Sequence, residues 1–193
     1  MRKKIDIFGS TGSIGTQTLE IVRNNPDLFE VEMLTCGANV DLLNQQIEEF
    51  NPKLVGIADK NQKDKIKEKA NITYAYGESE IVELINRSES KMVVMGISGA
   101  SGLLPTMKAI ENKKDIALAT KEVMVMAGEI VNKEIKKYGV NLMPVDSEHS
   151  AIWQSLHSGK HREIEKIILT CSGGPFRNKT KEELEKVTVA DAL

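Results

Sequence analysis

The stretch IFGSTGSIGTQTLEIV, close to the start of the chain, limits what this sequence can fold into more than any other. A short β-type run, Ile5–Phe8, enters a turn with glycines at Gly9, Gly12 and Gly15. A helix-type pattern follows at once, with Ile14, Thr18, Ile21 and Val22 on one face and Pro26 closing it. A strand that passes through a glycine-rich turn into a helix offers backbone N–H groups and a helix dipole to an anion. The spacing is G-x-x-G-x-x-G rather than the better-known G-x-G-x-x-G of dinucleotide sites. Gly9 allows a tight exit from the strand, Gly12 a close approach of backbone to pyrophosphate, and Gly15 close packing of helix on sheet. Thr11 and Ser13 add hydroxyl donors. A turn with no ligand is the alternative, but strand, turn and helix in this order favour a dinucleotide.

Further along, apolar runs at Phe29–Thr35, Leu54–Ala58, Met92–Met95, Ile116–Ala119, Asn141–Pro144 and Lys166–Thr170 read as strands, with helical periodicity between them. One such helix carries Val131, Ile135 and Tyr138 on a face and ends at Gly139. Strands this continuously apolar, alternating with helices, predict an α/β fold: a doubly wound parallel sheet of the Rossmann type. Residues 1–145 are expected to form this nucleotide-binding domain. Residues 146–193 read as the start of a second, α+β domain that is cut short, since about fifty residues are near the lower limit for a core of their own. The charge run KNQKDKIKEKA reads as a solvated helix face.

A net charge of −2 gives no reason to expect a nucleic-acid partner, and no apolar run nears the roughly 20 residues that span a bilayer. Two cysteines far apart, Cys36 and Cys171, suit a reducing compartment, so a cytoplasmic location is expected. The second strand runs into Cys36, Gly37, Ala38 and Asn39, where NAD-specific sites place an acid for the ribose 2′-OH. No acid stands there, which leans toward NADP, although no Arg or Lys is there either. In VDSEHS, Asp146 and Glu148 lie two apart after a strand. In extended chain they share a side and suit Mg²⁺ or Mn²⁺; as an N-cap and first-turn acid of the next helix they would need no metal. Lys121 and Glu122 follow a strand, on the edge where such sheets bind ligands. Ser172, in TCSGGPF, makes either an anion nest or a plain turn.

GSTGSIGTQTLEIVRNNP, GANV, GASGLLPT, ALATKE, MPVDSEHSAIWQSL and TCSGGPFR together resemble the 1-deoxy-D-xylulose 5-phosphate reductoisomerases, in family order and from end to end of the chain. The resemblance implies a metal-dependent rearrangement of 1-deoxy-D-xylulose 5-phosphate, followed by NADPH reduction to 2-C-methyl-D-erythritol 4-phosphate. It implies that Thr11, Gly12, Ser13 and Ile14 line the cofactor pyrophosphate, and that Gly37, Ala38 and Asn39 lie near the adenosine ribose. Thr120 and Glu122 fall at cofactor positions, with Glu122 beside the nicotinamide. Asp146 and Glu148 become ligands of Mg²⁺ or Mn²⁺. Lys121, Ser147, Glu148 and Ser172 contact the sugar phosphate, with Lys121, Asp146 and Glu148 catalytic. A homodimer is implied for the complete protein.

Thr120 stands where the family usually has Asn, and Ala38 where a basic residue is common. The family's later substrate histidine, Asn-Lys pair and third metal carboxylate do not follow Leu193. A fragment with weak NADPH binding and little or no turnover is therefore expected. Two rival readings make distinct predictions. A semialdehyde dehydrogenase would use Cys171 as nucleophile and ignore chelators, and a non-catalytic nucleotide-binding domain would bind NADPH without a metal-dependent ligand.

Overall fold

The computed structural model describes residues 2–169 and 174–192. The chain divides into two compact units, Met1–Asp146 and Ser147–Leu193.

In the first unit, strands β1 (Lys3–Phe8), β2 (Phe29–Cys36), β3 (Leu54–Ile57), β4 (Thr73–Tyr76), β5 (Met92–Met95), β6 (Asp115–Leu118) and β7 (Leu142–Pro144) form one parallel sheet in the order β4-β3-β2-β1-β5-β6-β7. Ile5 and Ile7 face one side and Phe8 the other, so both faces need cover. Helices α1 (Ser13–Asn24) and α2 (Val40–Phe50) cover the first with Leu19, Val22, Leu43 and Ile47. Helices α3 (Glu78–Leu84), α4 (Leu103–Glu111) and α5 (Glu122–Tyr138) cover the second with Leu84, Ile110, Val123 and Val131. The doubly wound parallel sheet is thus present. The chain builds outward from β1 to β4, then returns to lay β5 on the other side of β1. That reversal opens a crevice beyond the carboxyl ends of β1 and β5.

An irregularity in the β1–β2 ladder fine-tunes this packing. Ile5 pairs with Val31 but Asp6 pairs with Met33, so Glu32 is an extra residue on β2. The bulge turns Met33 toward Phe8 and leaves Leu34 beside Ile7, with Glu32 buried and Lys4 Nζ 3.2 Å from its carboxylate.

Several details depart from the sequence reading. Strand β4, TYAY, was not anticipated, because Thr and Tyr on a sheet edge make no continuous apolar run. Residues 166–169 form no strand, and Ile167, Ile168 and Leu169 are exposed; Thr170 lies outside the described residues. Those residues have no partner strand among the described residues, and an unpaired strand leaves its backbone polar groups unmet. The buried stripe of α1 is Gly15, Leu19 and Val22, and Ile21 is exposed. The charge run holds a 3₁₀ helix, Lys60–Lys65, instead of an α-helix, since it has no apolar stripe to bury. In α5, Val131 is buried, Ile135 and Tyr138 pack on the core, and Gly139 caps the end at φ 69° as expected.

In the second unit the described residues form α6 (Ser147–Leu156), two 3₁₀ turns, and short helices α7 (Lys181–Leu184) and α8 (Val189–Ala192). Trp153 on α6 and His157, just past its end, lie against each other with ring centroids 4.3 Å apart and planes tilted by 48°. Thr180 and Glu183 form a reciprocal capping box on α7. No described helix is long and apolar enough to cross a membrane.

Candidate functional site

The glycine turn lies at the crevice between β1 and β5. Gly9 takes φ +78°, and a Cβ there would lie 2.8 Å from the Gly96 carbonyl oxygen, because Gly96 N–H already donates to Phe8 at 2.9 Å. Both strand exits therefore meet with no room for a side chain. A Cβ on Gly15 would come 2.3 Å from the Gly9 oxygen and 2.4 Å from Ser10 Cα, so α1 starts directly on the turn. Gly12 is the N-cap residue of α1, with no side-chain cap and no acid in the first turn. Among the described residues, the N–H groups of Ser13, Ile14 and Gly15 have no protein acceptor. Uncompensated amides at the positive end of a helix are an anion site.

Residues that the sequence reading passed over hold this turn in place. Thr35, at the end of β2, accepts Ser10 N–H on its carbonyl (2.7 Å) and Gly9 N–H on its hydroxyl (3.0 Å). Gln46, on α2, accepts the Ser10 hydroxyl at 2.7 Å and donates its amide to the Ser10 carbonyl at 2.9 Å. Ser10 and Gln46 are both buried. The one sequence signal for Gln46 is a polar residue three positions after Leu43 and next to Ile47, on the face that α2 buries.

Beside the turn, Gly37, Ala38 and Asn39 form the exposed exit of β2, and the Asn39 side chain caps α2 by accepting Leu42 N–H at 3.3 Å. The exit of β3 runs alongside, Asp59 N–H donating to the Gly37 carbonyl at 3.1 Å. The Asp59 carboxylate, a near neighbour overlooked in the sequence, is engaged by Asn61 and Gln62; the Gln62 amide, foremost, holds its pKa below the usual range. A cleft of about 700 Å³ opens from this edge between α3 and α4, lined by Gly9, Thr35, Gly37, Ala58, Ile97 and Leu104 among others. That volume suits part of a nucleotide. Cys36 also lines it, but burial pushes its thiol up to about 12, which makes it inert as a nucleophile.

Thr120 is buried after β6, and its hydroxyl donates to the Ile97 carbonyl, tying the exits of β5 and β6 together. Lys121 is the N-cap residue of α5 and Glu122 its first residue, both exposed on the ligand-binding edge of the sheet. Val145 N–H donates to the Leu118 carbonyl at 2.9 Å and so continues the line of β7 toward Asp146, the last residue of the first unit. Ser147 and Glu148 open α6 in the second unit, both exposed. Two carboxylates are hard oxygen donors of the kind Mg²⁺ and Mn²⁺ prefer. Among the described residues no three His, Cys, Asp or Glu side chains cluster to hold a metal. Cys171 and Ser172 lie outside the described residues.

The family model for 1-deoxy-D-xylulose 5-phosphate reductoisomerase matches residues 5–128, and the model for the C-terminal domain of that enzyme matches residues 142–193. The 1-deoxy-D-xylulose 5-phosphate reductoisomerases of a Geobacillus species and of Thermoanaerobacter pseudethanolicus are each 49% identical to this chain over 193 residues. Those alignments cover 99% of this chain but 51% and 50% of the two relatives. Among solved structures, the reductoisomerase from Zymomonas mobilis in complex with NADPH superposes with a TM-score of 0.81 at 35% identity, covering 97% of this chain and 50% of that one. A DOX-P reductoisomerase in complex with NADPH, fosmidomycin and magnesium gives 0.79 at 33% identity, covering 98% and 50%. The chain spans about half the length of the curated relatives it matches.

Proposed function

Because the chain belongs to the 1-deoxy-D-xylulose 5-phosphate reductoisomerase family, we propose that it binds NADPH and contributes to the conversion of 1-deoxy-D-xylulose 5-phosphate to 2-C-methyl-D-erythritol 4-phosphate. In this reading residues 1–145 hold the nucleotide and residues 146–193 begin the metal and substrate site. The observation that carries it is the glycine turn, whose Ser13–Gly15 amides stand unpaired at the sheet reversal. Thr11, Gly12, Ser13 and Ile14 receive the pyrophosphate, and Gly37, Ala38 and Asn39 border the adenosine ribose. No acid occupies the β2 exit and Asp59 is already engaged, which supports a 2′-phosphorylated nucleotide. Thr120 acts at the nicotinamide end through the backbone it anchors, since its hydroxyl is taken by Ile97. Glu122 lies beside it.

Asp146 and Glu148 would hold Mg²⁺ or Mn²⁺, an ion that stabilises negative charge on the substrate oxygens as carbon bonds shift. Lys121 and Ser147 orient the substrate at its hydroxyl and carbonyl oxygens, and Ser172 receives its phosphate. NADPH bound at the glycine turn would supply the hydride that, with a proton, reduces the rearranged aldehyde to the alcohol. The reading extends to a cytoplasmic homodimer that binds no nucleic acid, in keeping with the near-neutral charge and the family resemblance.

The experiment is NADPH oxidation with deoxyxylulose phosphate, run with this chain and with a chimera in which its 193 residues replace the matching half of the Geobacillus protein. The chimera is expected to turn over in Mg²⁺ or Mn²⁺. Asp146→Asn or Glu148→Gln should lower that rate by more than the roughly 10–100-fold typical of outer-sphere changes, and should remove Mg²⁺-dependent binding of fosmidomycin. Unchanged turnover in both variants would overturn the assignment.

A further inference from the structure

We infer that Gln46 is a positioning residue for the nucleotide, acting through Ser10 on the amides that receive the pyrophosphate. The inference rests on the NADPH reading above. Ser10 lies inside the glycine turn yet turns none of its polar groups toward the cleft. Its N–H goes to Thr35, and both its hydroxyl and its carbonyl go to the one Gln46 side chain, 36 residues away on α2. A carbonyl accepts only, so the Gln46 NH₂ must face Ser10 O and its oxygen must face the Ser10 hydroxyl. The pair is two-pronged and buried, which fixes the peptide after Ser10 as well as its position.

That peptide leads directly into Thr11–Gly15, which ends in the unpaired amides of Ser13, Ile14 and Gly15. Helix α2 also carries Asn39 as its cap, so Gln46 ties the phosphate turn to the helix that starts at the ribose segment. The spare amides are useful only if they converge before the ligand arrives, because ordering a loose glycine turn on binding subtracts from affinity. Nothing else on α2 bonds to the turn among the described residues. A side chain that served packing alone would satisfy itself anywhere in the α1–α2 contact.

The test compares two probes, NADPH and adenosine 2′-phosphate, which shares the adenosine end but lacks the pyrophosphate. Unmodified chain, Gln46→Met and Gln46→Glu are each titrated with both, with circular dichroism to confirm folding. Gln46→Met is expected to weaken NADPH about tenfold, the loss of one or two net hydrogen bonds, while adenosine 2′-phosphate changes by less than about twofold. Gln46→Glu keeps the acceptor for the Ser10 hydroxyl but sets a second, acceptor-only carboxylate oxygen against the buried Ser10 carbonyl, so it should weaken NADPH at least as much as Gln46→Met. Thr35→Val, which removes only the acceptor of Gly9 N–H, should show the same preference for pyrophosphate loss and guards against a Gln46→Met variant that fails to fold. Equal weakening of both probes, or no weakening of NADPH, would overturn the assignment of Gln46 alone. Failure of the unmodified chain to bind NADPH would overturn the nucleotide reading and this inference with it.

Discussion

Gly15→Ala is expected to weaken NADPH binding by roughly 100-fold, the scale set by an ångström-sized misplacement at a site. Judged by helix propensity the substitution should help, since alanine is about 1 kcal/mol better than glycine inside a helix. Packing decides otherwise. The new methyl carbon would stand 2.3 Å from the Gly9 oxygen and 2.4 Å from Ser10 Cα, both backbone atoms in a turn already clamped to Thr35 and Gln46. Either α1 lifts off β1 or the turn moves, and overpacking of this kind destabilises by about 1–3 kcal/mol. Gly128→Ala in α5 supplies the contrast. Its Cβ would meet only Met124 Cε at 3.8 Å, an ordinary contact, so the variant should be neutral or up to about 1 kcal/mol more stable. Urea melts and NADPH titrations of the two variants test this, and Gly15→Ala protein that binds NADPH normally would contradict it.

The largest stability effect is expected from Lys114→Ala, about 3–5 kcal/mol, the cost of leaving a buried charge without its partner. Asp6 is 0% and Lys114 2% exposed. Lys114 Nζ lies 3.4 Å from the Asp6 carboxylate and donates to the Ser88 and Ser90 carbonyls at 3.0 and 2.7 Å, while the Ser88 hydroxyl sits 2.7 Å from both carboxylate oxygens. This knot, on the α3–α4 side of β1, ties the segment before β5 to the turn before β6. Burial raises the Asp6 pKa and lowers that of Lys114, each against the pull of the other. A carboxyl raised in the fold keeps its proton where the unfolded chain has lost it, so its contribution to stability falls as pH rises through that window. Without Lys114 the window widens upward. The deficit of Lys114→Ala should therefore be greatest near neutral pH and shrink in mild acid. Asp6→Leu together with Lys114→Met should recover most of the loss. Urea unfolding at both pH values checks this; a deficit under about 1 kcal/mol at neutral pH would contradict it.

What the sequence revealed depended on how local each signal was. The strands at Ile5–Phe8 and Met92–Met95 are short, mostly apolar and bounded by turns, so a buried parallel sheet could be read from them directly. IILT at 167–170 has the same look, yet 167–169 form no strand, because pairing depends on a partner that composition does not disclose. Strand β4 escaped for the opposite reason: TYAY is an edge strand held by β3, not by an apolar pattern. The bulge at Glu32 leaves no trace in the alternation and appears only in the register with β1. At the site, Gly9, Gly12 and Gly15 are legible because one turn needs all three within seven residues. Gln46 and Thr35 are not, since they reach the turn from 36 and 26 residues away. The Asp146–Glu148 pair could be recognised as a metal motif by resemblance alone; by chemistry it reads more readily as a helix start.

In the function proposed above, the glycine turn at the β1–β5 reversal receives a 2′-phosphorylated dinucleotide. Backbone amide chemical shifts of the chain, followed by NMR as NADPH is added, test it residue by residue. Saturable shifts of the Thr11–Gly15 and Gly37–Asn39 amides are expected, at lower concentration for NADPH than for NADH. Shifts confined to other residues, or none at all in the turn, would contradict it.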